Sequence, residues 1–242
     1  MKKICSMVFA AVILLFAGAC TVRQDITLQA GGAGTASLEA ELHPVFMEYY
    51  ADLASGFSSS FDPEQPRFFN AAAIREAFHR NAALRLDSLQ TPSPGKLVLR
   101  FHITDISGAI KNEDKAAQNI ISRTQNGNRE TLAIRLSRSN LASLLKIIPE
   151  MDSPVAKMLL PPEGATEEDY AEHLAWALED YAKNEKIEDI LKASAIYLSI
   201  RTPRKILSQT GGSLKNENEA GFRISLPGLF TLEKALEYSV TY

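Results

Sequence analysis

Apolar and polar residues alternate with a period of two in many short segments of this chain, and this alternation restricts its fold more than any other feature. The first two such segments, residues 26–30 and 36–42, lie on either side of a glycine cluster at residues 31–34. Successive side chains of a strand point to opposite faces, so each segment is typical of a strand with one buried face. Two strands joined by a short glycine-rich turn indicate an antiparallel β-hairpin.

Further segments of this kind continue along the chain and are separated by segments with helical spacing. The predicted strands cover residues 84–89, 97–103, 120–125, 131–136, 194–201, 220–226 and 237–242. The predicted helices begin near Pro44, Asn70, Ser139 and Thr166, the last reaching about residue 182, and Asp169 completes a capping box with Thr166. We therefore predict an α+β fold, a single domain with a largely antiparallel β-sheet and several amphipathic helices packed on one face.

The first nineteen residues have the composition of a bacterial export signal. Lys2 and Lys3 precede an apolar run at residues 4–16, and small residues at 17–19 come directly before Cys20. A helix needs about 20 apolar residues to cross a bilayer, so this run favours a cleaved signal over a retained anchor. We predict a lipoprotein signal peptide at residues 1–19, an acylated Cys20 with a short tether at residues 20–24, and one domain at residues 25–242.

Two interpretations of the cleavage site remain open at this stage. A lipoprotein signal commonly has a bulky aliphatic residue three places before the cysteine, where this chain has Ala17. Residues 17–19 also fit the small-x-small pattern of ordinary signal peptidase. The first interpretation leaves a lipidated protein, and the second leaves an exported chain with a free thiol at Cys20. The presence of a cysteine at this position favours lipidation.

Cysteine content and charge exclude several classes of protein. The only other cysteine, Cys5, lies in the signal, so an exported domain would be held by its hydrophobic core without a disulfide or a cysteine metal site. Without Lys2 and Lys3, 24 basic residues remain against 29 acidic ones, and the net charge falls from −3 to −5. This balance argues against nucleic acid as a partner and against electrostatic binding to anionic lipid. Acyl chains would therefore have to make the attachment to the membrane.

The sequence contains no pattern that identifies a reaction. None of the four histidines belongs to a His-x-x-x-His pair, and no Gly-x-Ser-x-Gly motif is present. Asp169 and His173 lie one helical turn apart and could share a metal ion, but a solvated helix face explains them better. His102 is expected to be half-buried on its strand. We predict no catalytic residue, no metal and no cofactor, although a site could be assembled from distant segments.

The helix predicted after Thr166 carries the first candidate interaction surface. At 100° per residue its apolar positions gather on one side, while Trp176 falls on the other side among polar residues. A tryptophan on a polar face is either covered by another segment or exposed for a partner. Covering by a loop is the ordinary expectation. The candidate surface consists of Glu172, His173, Trp176 and Asp180.

A second candidate is an apolar string in short segments that prolines interrupt. It is either part of the core or a flexible cover over an apolar groove, since methionine adapts to varied apolar shapes. Ordinary core packing is favoured. The string consists of Ile147, Ile148, Met151, Val155, Met158, Leu159 and Leu160.

Taken whole, the exported chain resembles the bacterial lipoproteins related to LppM. The resemblance rests on a cysteine followed by DITL at residues 25–28, on Gly34-Thr35, on a helix-rich middle, and on RTP at 201–203, GFRI at 221–224 and EYSVTY at 237–242. It implies an α+β domain held at the cell envelope, in some members with a C-terminal membrane helix. This chain lacks such a helix before Tyr242, so Cys20 would be its sole anchor. The permissive signal also resembles those of spirochaetal lipoproteins, and no functional residue follows from either resemblance.

These observations predict a non-enzymatic lipoprotein of the cell envelope, attached by acyl chains such as palmitate to the periplasmic face or outer surface of a membrane. It would act as a binding or adaptor module for an amphiphile or a partner protein. The alternatives are an envelope enzyme with a site formed only in three dimensions, and a structural surface lipoprotein.

Overall fold

Strands of two β-sheets form the frame of the computed structural model, which describes residues 20–57, 68–111, 120–145 and 158–242. The strands are β1 Cys20–Leu28, β2 Gly34–Leu42, β3 Leu84–Ser93, β4 Lys96–Ile103, β5 Ile121–Asn126, β6 Arg129–Leu136, β7 Ala195–Arg201, β8 Ser208–Thr210, β9 Ser213–Asn216, β10 Glu219–Ser225 and β11 Leu236–Thr241. The larger sheet has the order β3-β4-β2-β1-β7-β10-β9, and the smaller sheet has the order β5-β6-β11-β8. Only β1 and β7 pair in parallel; the other described pairs are antiparallel.

Helices occupy the connections between these strands. They are α1 Pro44–Phe57, α2 Ala71–Arg80, α3 Ile106–Lys111, α4 Arg138–Leu145, α5 Glu167–Leu178, α6 Ile187–Ala193 and α7 Leu226–Thr231, with a 3₁₀ turn at Glu179–Tyr181. Asn70 caps α2, because its side-chain oxygen accepts a hydrogen bond of 3.0 Å from the Ala73 N–H. Thr166 and Asp169 form the predicted capping box at the start of α5.

One hydrophobic core joins both sheets and the helices. Leu99 of β4, Leu178 of α5, Leu229 of α7 and Val240 of β11 are all completely buried in it. The strands β2 and β4 alternate between buried and solvent-facing residues, so one face of the larger sheet packs on the core and the other is open. The predicted α+β fold with a mostly antiparallel sheet is therefore confirmed, and so is the hairpin formed by β1 and β2.

The predicted tether at residues 20–24 is wrong, because these residues belong to β1. Residues 21–27 pair with β2 on one side and with β7 on the other. Val22 is 1 % exposed, and Gln24 occupies an inward position with 4 % exposure. The polar Gln24 interrupts the apolar alternation in the sequence, which delayed the predicted start of the strand to Ile26.

Other local predictions need correction as well. The helix expected to reach residue 182 ends at Leu178 and continues only as the 3₁₀ turn. The strands form two sheets rather than one, since β8 and β9 are joined by Gly211 and Gly212 but belong to different sheets. The helices α6 and α7 and the short strands β8 and β9 were not anticipated, because segments of three to seven residues carry too little periodicity.

A partly buried ion pair in the smaller sheet contacts Tyr242, the residue that follows β11. Arg123 on β5 donates from Nε to Glu130 Oε2 on β6 at 3.0 Å, and the hydroxyl of Tyr242 lies 3.3 Å from the same oxygen. The backbones of Glu130 and Tyr242 also exchange two hydrogen bonds of 2.9 Å. Both charges are satisfied, so this cluster is structural.

Candidate interaction surfaces

The position of Cys20 determines which part of the domain an anchor would hold. Cys20 is the first residue of β1 and pairs with Leu42, the last residue of β2. The next residue, Thr21, pairs with Glu41 and with Ala195, the first residue of β7. We call these three strand ends the Cys20 edge. A lipid on Cys20 would have no spacer before the sheet, so it would hold the Cys20 edge directly against the membrane.

A groove of about 550 Å³ opens beside the Cys20 edge. Its lining includes Thr21, Arg23, Glu41, His43, Glu185 and Asp189. His43 Nε2 lies 3.5 Å from Glu185 Oε2, whereas His43 Nδ1 is buried without a hydrogen-bond partner. We call this cavity beside the Cys20 edge the His43 groove. It combines one histidine with three acidic residues and two basic ones, Arg23 and Lys186, so it is neither an apolar groove nor a pocket that gathers several histidines.

The Trp176 surface is solvent-exposed. Trp176 is 73 % exposed, and Glu172, His173 and Asp180 are exposed around it. The rings of His173 and Trp176 are 6.1 Å apart at an interplanar angle of 34°. The expected covering of Trp176 by a loop is therefore wrong. The opposite face of α5 is buried through Tyr170, Leu174 and Leu178, as the helical spacing predicted.

The chain that follows α5 runs back along α1 toward the Cys20 edge. The Tyr181 hydroxyl donates to Asp52 at 2.8 Å, and Lys183 Nζ contacts Glu48 at 2.6 Å. Glu185 then reaches His43, which follows β2. Asp52 lies nine positions after His43, which corresponds to about 14 Å in the direction of α1. The Tyr181 hydroxyl, which contacts Asp52 just after α5, therefore lies about this far along α1 from His43.

The apolar string lies mostly outside the described residues. This applies to its first four members, Ile147, Ile148, Met151 and Val155. Met158 is 50 % exposed, while Leu159 is buried and its carbonyl accepts a hydrogen bond from the Tyr170 hydroxyl. Leu160 is half-buried and packs against the core. Leu159 and Leu160 thus serve the core, and the proposed groove over this string stays a prediction.

A second groove of about 540 Å³ lies on the open face of the larger sheet, and sequence reasoning missed it. Arg23, Tyr197 and Arg223 stand side by side there on β1, β7 and β10. We call it the arginine–tyrosine groove. These residues are far apart in the sequence, and the only signal for them is their outward position in alternating strands.

Glu219 closes one end of this region and is strongly stabilised as a carboxylate. It accepts hydrogen bonds from Arg201 Nη2 at 2.8 Å, from Ser199 Oγ at 2.7 Å and from Asn216 Nδ2 at 3.3 Å. These donors, Arg201 first, lower the pKa of Glu219 from the ordinary 4.5 to about 2.

Near α1, the hydrogen bond from Tyr181 to Asp52 raises the pKa of the Tyr181 phenol to about 12.

The histidines are dispersed over the molecule. His102 projects from the open face of the larger sheet, partly exposed as expected, and its Nδ1 contacts Asp87 and, at 3.1 Å, Arg85 Nη2. His43 follows β2, and His79 and His173 lie on different helices. Within the described ranges, no three His, Cys, Asp or Glu side chains are grouped so that they could hold a metal ion.

Comparisons with known proteins reveal one distant likeness. No protein-family model matches this chain, and no curated protein matches it. Among solved structures, it is similar to the folded domain of the LppM protein of Mycobacterium tuberculosis, determined by NMR. The TM-score is 0.42 and the identity 13 %, over 93 % of this chain and 89 % of that one. At this level the likeness concerns the fold alone, and no residue role is transferred. In the part of the chain that the structure describes, none of the helices has the length and apolar character needed to cross a bilayer.

Proposed function

We propose that this chain is a lipid-anchored protein of the bacterial cell envelope and that it acts close to the membrane as a binding module for a partner protein. The export signal that ends at Cys20 supports the anchor. The observation that carries the proposal is the start of β1 at Cys20 itself. Acyl chains there would hold the sheet at the membrane surface and limit the directions in which its other surfaces can face.

The Trp176 surface supports a protein as the partner in preference to an amphiphile. A tryptophan that is 73 % exposed is the largest apolar side chain left uncovered in the described residues. Tryptophan is enriched among the residues that contribute most to protein–protein binding. In contrast, the described end of the apolar string contributes Leu159 and Leu160 to the core, which leaves less of it for an amphiphile.

Charge around Trp176 indicates the chemistry of that partner. Glu172 and Asp180 flank the ring, and Glu179 lies in the same exposed stretch. Such a surface would repel an anionic membrane and attract a protein that surrounds an apolar pocket with basic residues.

The first experiment tests the anchor. The intact mass of the membrane-extracted protein is compared with that of the Cys20→Ala variant. We expect a mass increase that corresponds to acyl chains, and we expect the variant to lose both the added mass and its retention in the membrane fraction. An unmodified chain in the soluble fraction would contradict the anchor, and the free thiol would then need explanation.

The second experiment tests the partner surface. Proteins crosslinked to the native chain in intact cells are compared with those crosslinked to Trp176→Ala, and a recovered partner is then purified for binding measurements. We expect Trp176→Ala to weaken that binding about tenfold or more, since tryptophan truncations at binding hot spots cost about 2 kcal/mol or more. Leu207→Ala removes another exposed apolar side chain and should leave the affinity unchanged.

Stability measurements on the same variants separate binding from folding. Because Trp176 is so exposed, its removal should change the free energy of unfolding by no more than about 0.5 kcal/mol. A large drop in melting temperature would instead assign Trp176 to the core. Equal binding by Trp176→Ala and the native chain would leave a structural role at the surface as the better interpretation.

A further inference from the structure

We propose that the arginine–tyrosine groove is a binding site for an organic oxyanion, a phosphate or carboxylate attached to a ring such as a sugar. This inference goes beyond the proposed function and does not depend on it. The register of the larger sheet places Tyr197 of β7 between Arg23 of β1 and Arg223 of β10. Neighbouring strands lie about 4.8 Å apart, so the two arginine backbones are about 10 Å apart with the tyrosine between them.

The next row of the sheet provides the space for a ligand. In that row Asp25, Ser199, Gly221 and Ser213 lie side by side across four strands. Gly221 carries no side chain, and Lys215 of β9 extends over it; a Cβ built on Gly221 would lie 2.7 Å from Lys215 Cε. The turn at Gly211 and Gly212 adds a wall, which completes a cavity of about 540 Å³. Small-molecule sites commonly have volumes of about 300–1,000 Å³.

The groove is positively charged on an acidic protein. Its lining contains three cations, Arg23, Lys215 and Arg223, against a single carboxylate, Asp25. Over the described part of the chain, neither Arg23 nor Asp25 has an ion-pair partner within 4 Å. Two further acids lie close to the groove, and both already have partners. Glu39 of β2 lies opposite Arg23 and forms an ion pair with Lys96 at 2.6 Å. Glu219 is engaged by Arg201 and Ser199, and Lys215 Nζ lies 3.5 Å from it. The charge of Arg23 is thus available to a ligand, and guanidinium groups bind phosphate and carboxylate strongly.

Tyr197 adds a flat apolar contact beside these charges. It is 38 % exposed, and the Arg223 guanidinium lies 5.9 Å from its ring centre. Arg223 is also held in place from one side, since its Nη2 donates to the Lys192 carbonyl at 2.6 Å. A ring held beside the Arg223 guanidinium, with Arg23 on the neighbouring strand at its other side, favours a ligand with a ring face and an anionic group over a free inorganic ion.

The experiment titrates the Cys20→Ala protein by NMR or calorimetry with inorganic phosphate, glucose 6-phosphate, glucuronate and uncharged glucose. We expect the two charged sugars to bind more tightly than inorganic phosphate, and we expect no binding of glucose. Resonances of β1, β7 and β10 should shift on binding. A parallel titration with vesicles compares phosphatidylglycerol with phosphatidylcholine; binding only to the former would assign the oxyanion to a lipid headgroup, and binding only of the soluble probes would assign it to a free solute.

Matched variants locate the binding in the groove. Arg23→Gln and Arg223→Gln should each weaken glucose 6-phosphate binding about tenfold, since a hydrogen bond to a charged group contributes about 1.5–3 kcal/mol. The control is Arg100→Gln, because Arg100 is an exposed arginine of β4 on the same open face. This variant should leave the affinity for glucose 6-phosphate unchanged. Gly221→Val fills the groove without altering its charge and should abolish binding. Tyr197→Ala should lower the affinity for glucose 6-phosphate to that for inorganic phosphate.

One substitution should improve the site. Asp25→Asn removes the only carboxylate of the lining and should tighten binding of every charged probe several-fold, because an unpaired like charge no longer opposes the anion. Unfolding curves of each variant establish that it is folded; Arg23→Gln and Asp25→Asn break no described ion pair, so they stay informative even if Arg223→Gln destabilises α6. Three results would overturn the proposal. None of the charged probes binds, or Arg100→Gln weakens binding as much as Arg23→Gln does, or Asp25→Asn leaves the affinity unchanged.

Discussion

Single side chains in this protein acquire properties that their neighbours in the sequence do not provide. Glu219 is only 12 % exposed at its side chain and accepts hydrogen bonds from Arg201, Ser199 and Asn216. All three donors lie on other strands, Arg201 and Ser199 on β7 and Asn216 on β9, so the register of β7, β9 and β10 brings them together. The result is a carboxyl group whose pKa is lowered to about 2, next to the proposed oxyanion site.

This lowered pKa predicts a specific dependence of stability on acid. The folded pKa of about 2 lies below the ordinary 4.5, so the unfolded chain takes up a proton first as the pH falls. The stabilisation is fully present above pH 4.5 and is lost as the pH falls toward 2. Glu219→Gln should reduce the free energy of unfolding by about 1 kcal/mol at neutral pH and flatten its decline over this range.

Urea unfolding at a series of pH values measures the free energy of unfolding of both proteins. The difference between the variant and the native value at each pH isolates the contribution of Glu219 from that of the other carboxyl groups. Ser199→Ala removes one donor and should give an intermediate slope. Parallel stability curves for Glu219→Gln and the native protein would show that the hydrogen bonds do not contribute as described.

At the level of elements, α5 shows how one helix serves both the core and a surface. Its first turn is held by the capping box, with Thr166 Oγ1 accepting from the Asp169 N–H at 3.1 Å and Asp169 Oδ2 accepting from the Thr166 N–H at 3.0 Å. Its buried face packs through Tyr170 and Leu178, and its opposite face presents Trp176. The cap and the packed face together fix the direction in which Trp176 points.

The capping box can be tested by a pair of substitutions. Thr166→Ala leaves the Asp169 backbone N–H without its side-chain acceptor and should lower the free energy of unfolding by about 1 kcal/mol. Thr166→Ser keeps the hydroxyl and should retain most of that stability. Chemical denaturation of the three proteins decides the matter; a serine variant as unstable as the alanine variant would assign the loss to the methyl group of threonine.

At the level of the whole molecule, the two sheets share one hydrophobic core, and we expect them to unfold as one unit. Phe222 of the larger sheet and Tyr238 of the smaller sheet meet edge to face at 5.2 Å, within the single core. The chain passes between the sheets at Gly211, whose φ is +77°. A Cβ on Gly211 would lie 2.3 Å from the Glu237 carbonyl oxygen, so the crossing also requires the absence of a side chain.

Gly211→Ala should therefore destabilise the whole molecule. The matched control is Gly127→Ala in the turn between β5 and β6, where φ is also positive at +59° but nothing lies within 4 Å of a Cβ. The control should lose about 1–2 kcal/mol from backbone strain alone, and Gly211→Ala should lose more because the clash is with backbone. Near-ultraviolet circular dichroism of the buried tyrosines, among them Tyr170 and Tyr238, and far-ultraviolet circular dichroism should report one shared transition; separate transitions would contradict a single unit.

Local patterns could be predicted because they depend on neighbours along the chain. The hairpin of β1 and β2 follows from alternation around a glycine turn, and the caps at Asn70 and Thr166 follow from side chains that reach only two or three residues. Where one residue contradicted the local pattern, the prediction failed. Gln24 is polar but faces inward, and the start of β1 was therefore placed too late.

The amino-acid sequence by itself determined the α+β class, most strand and helix positions and the apolar face of α5, since each depends on periodicity or spacing within a short segment. The tertiary structure decided that Cys20 begins a central strand, that Trp176 is uncovered, and that Arg23, Tyr197 and Arg223 share one groove. These facts depend on which strands pair and in which register. Strand pairing joins residues as far apart as Arg23 and Arg223, and its energy comes from burying a common core rather than from any neighbour in the sequence.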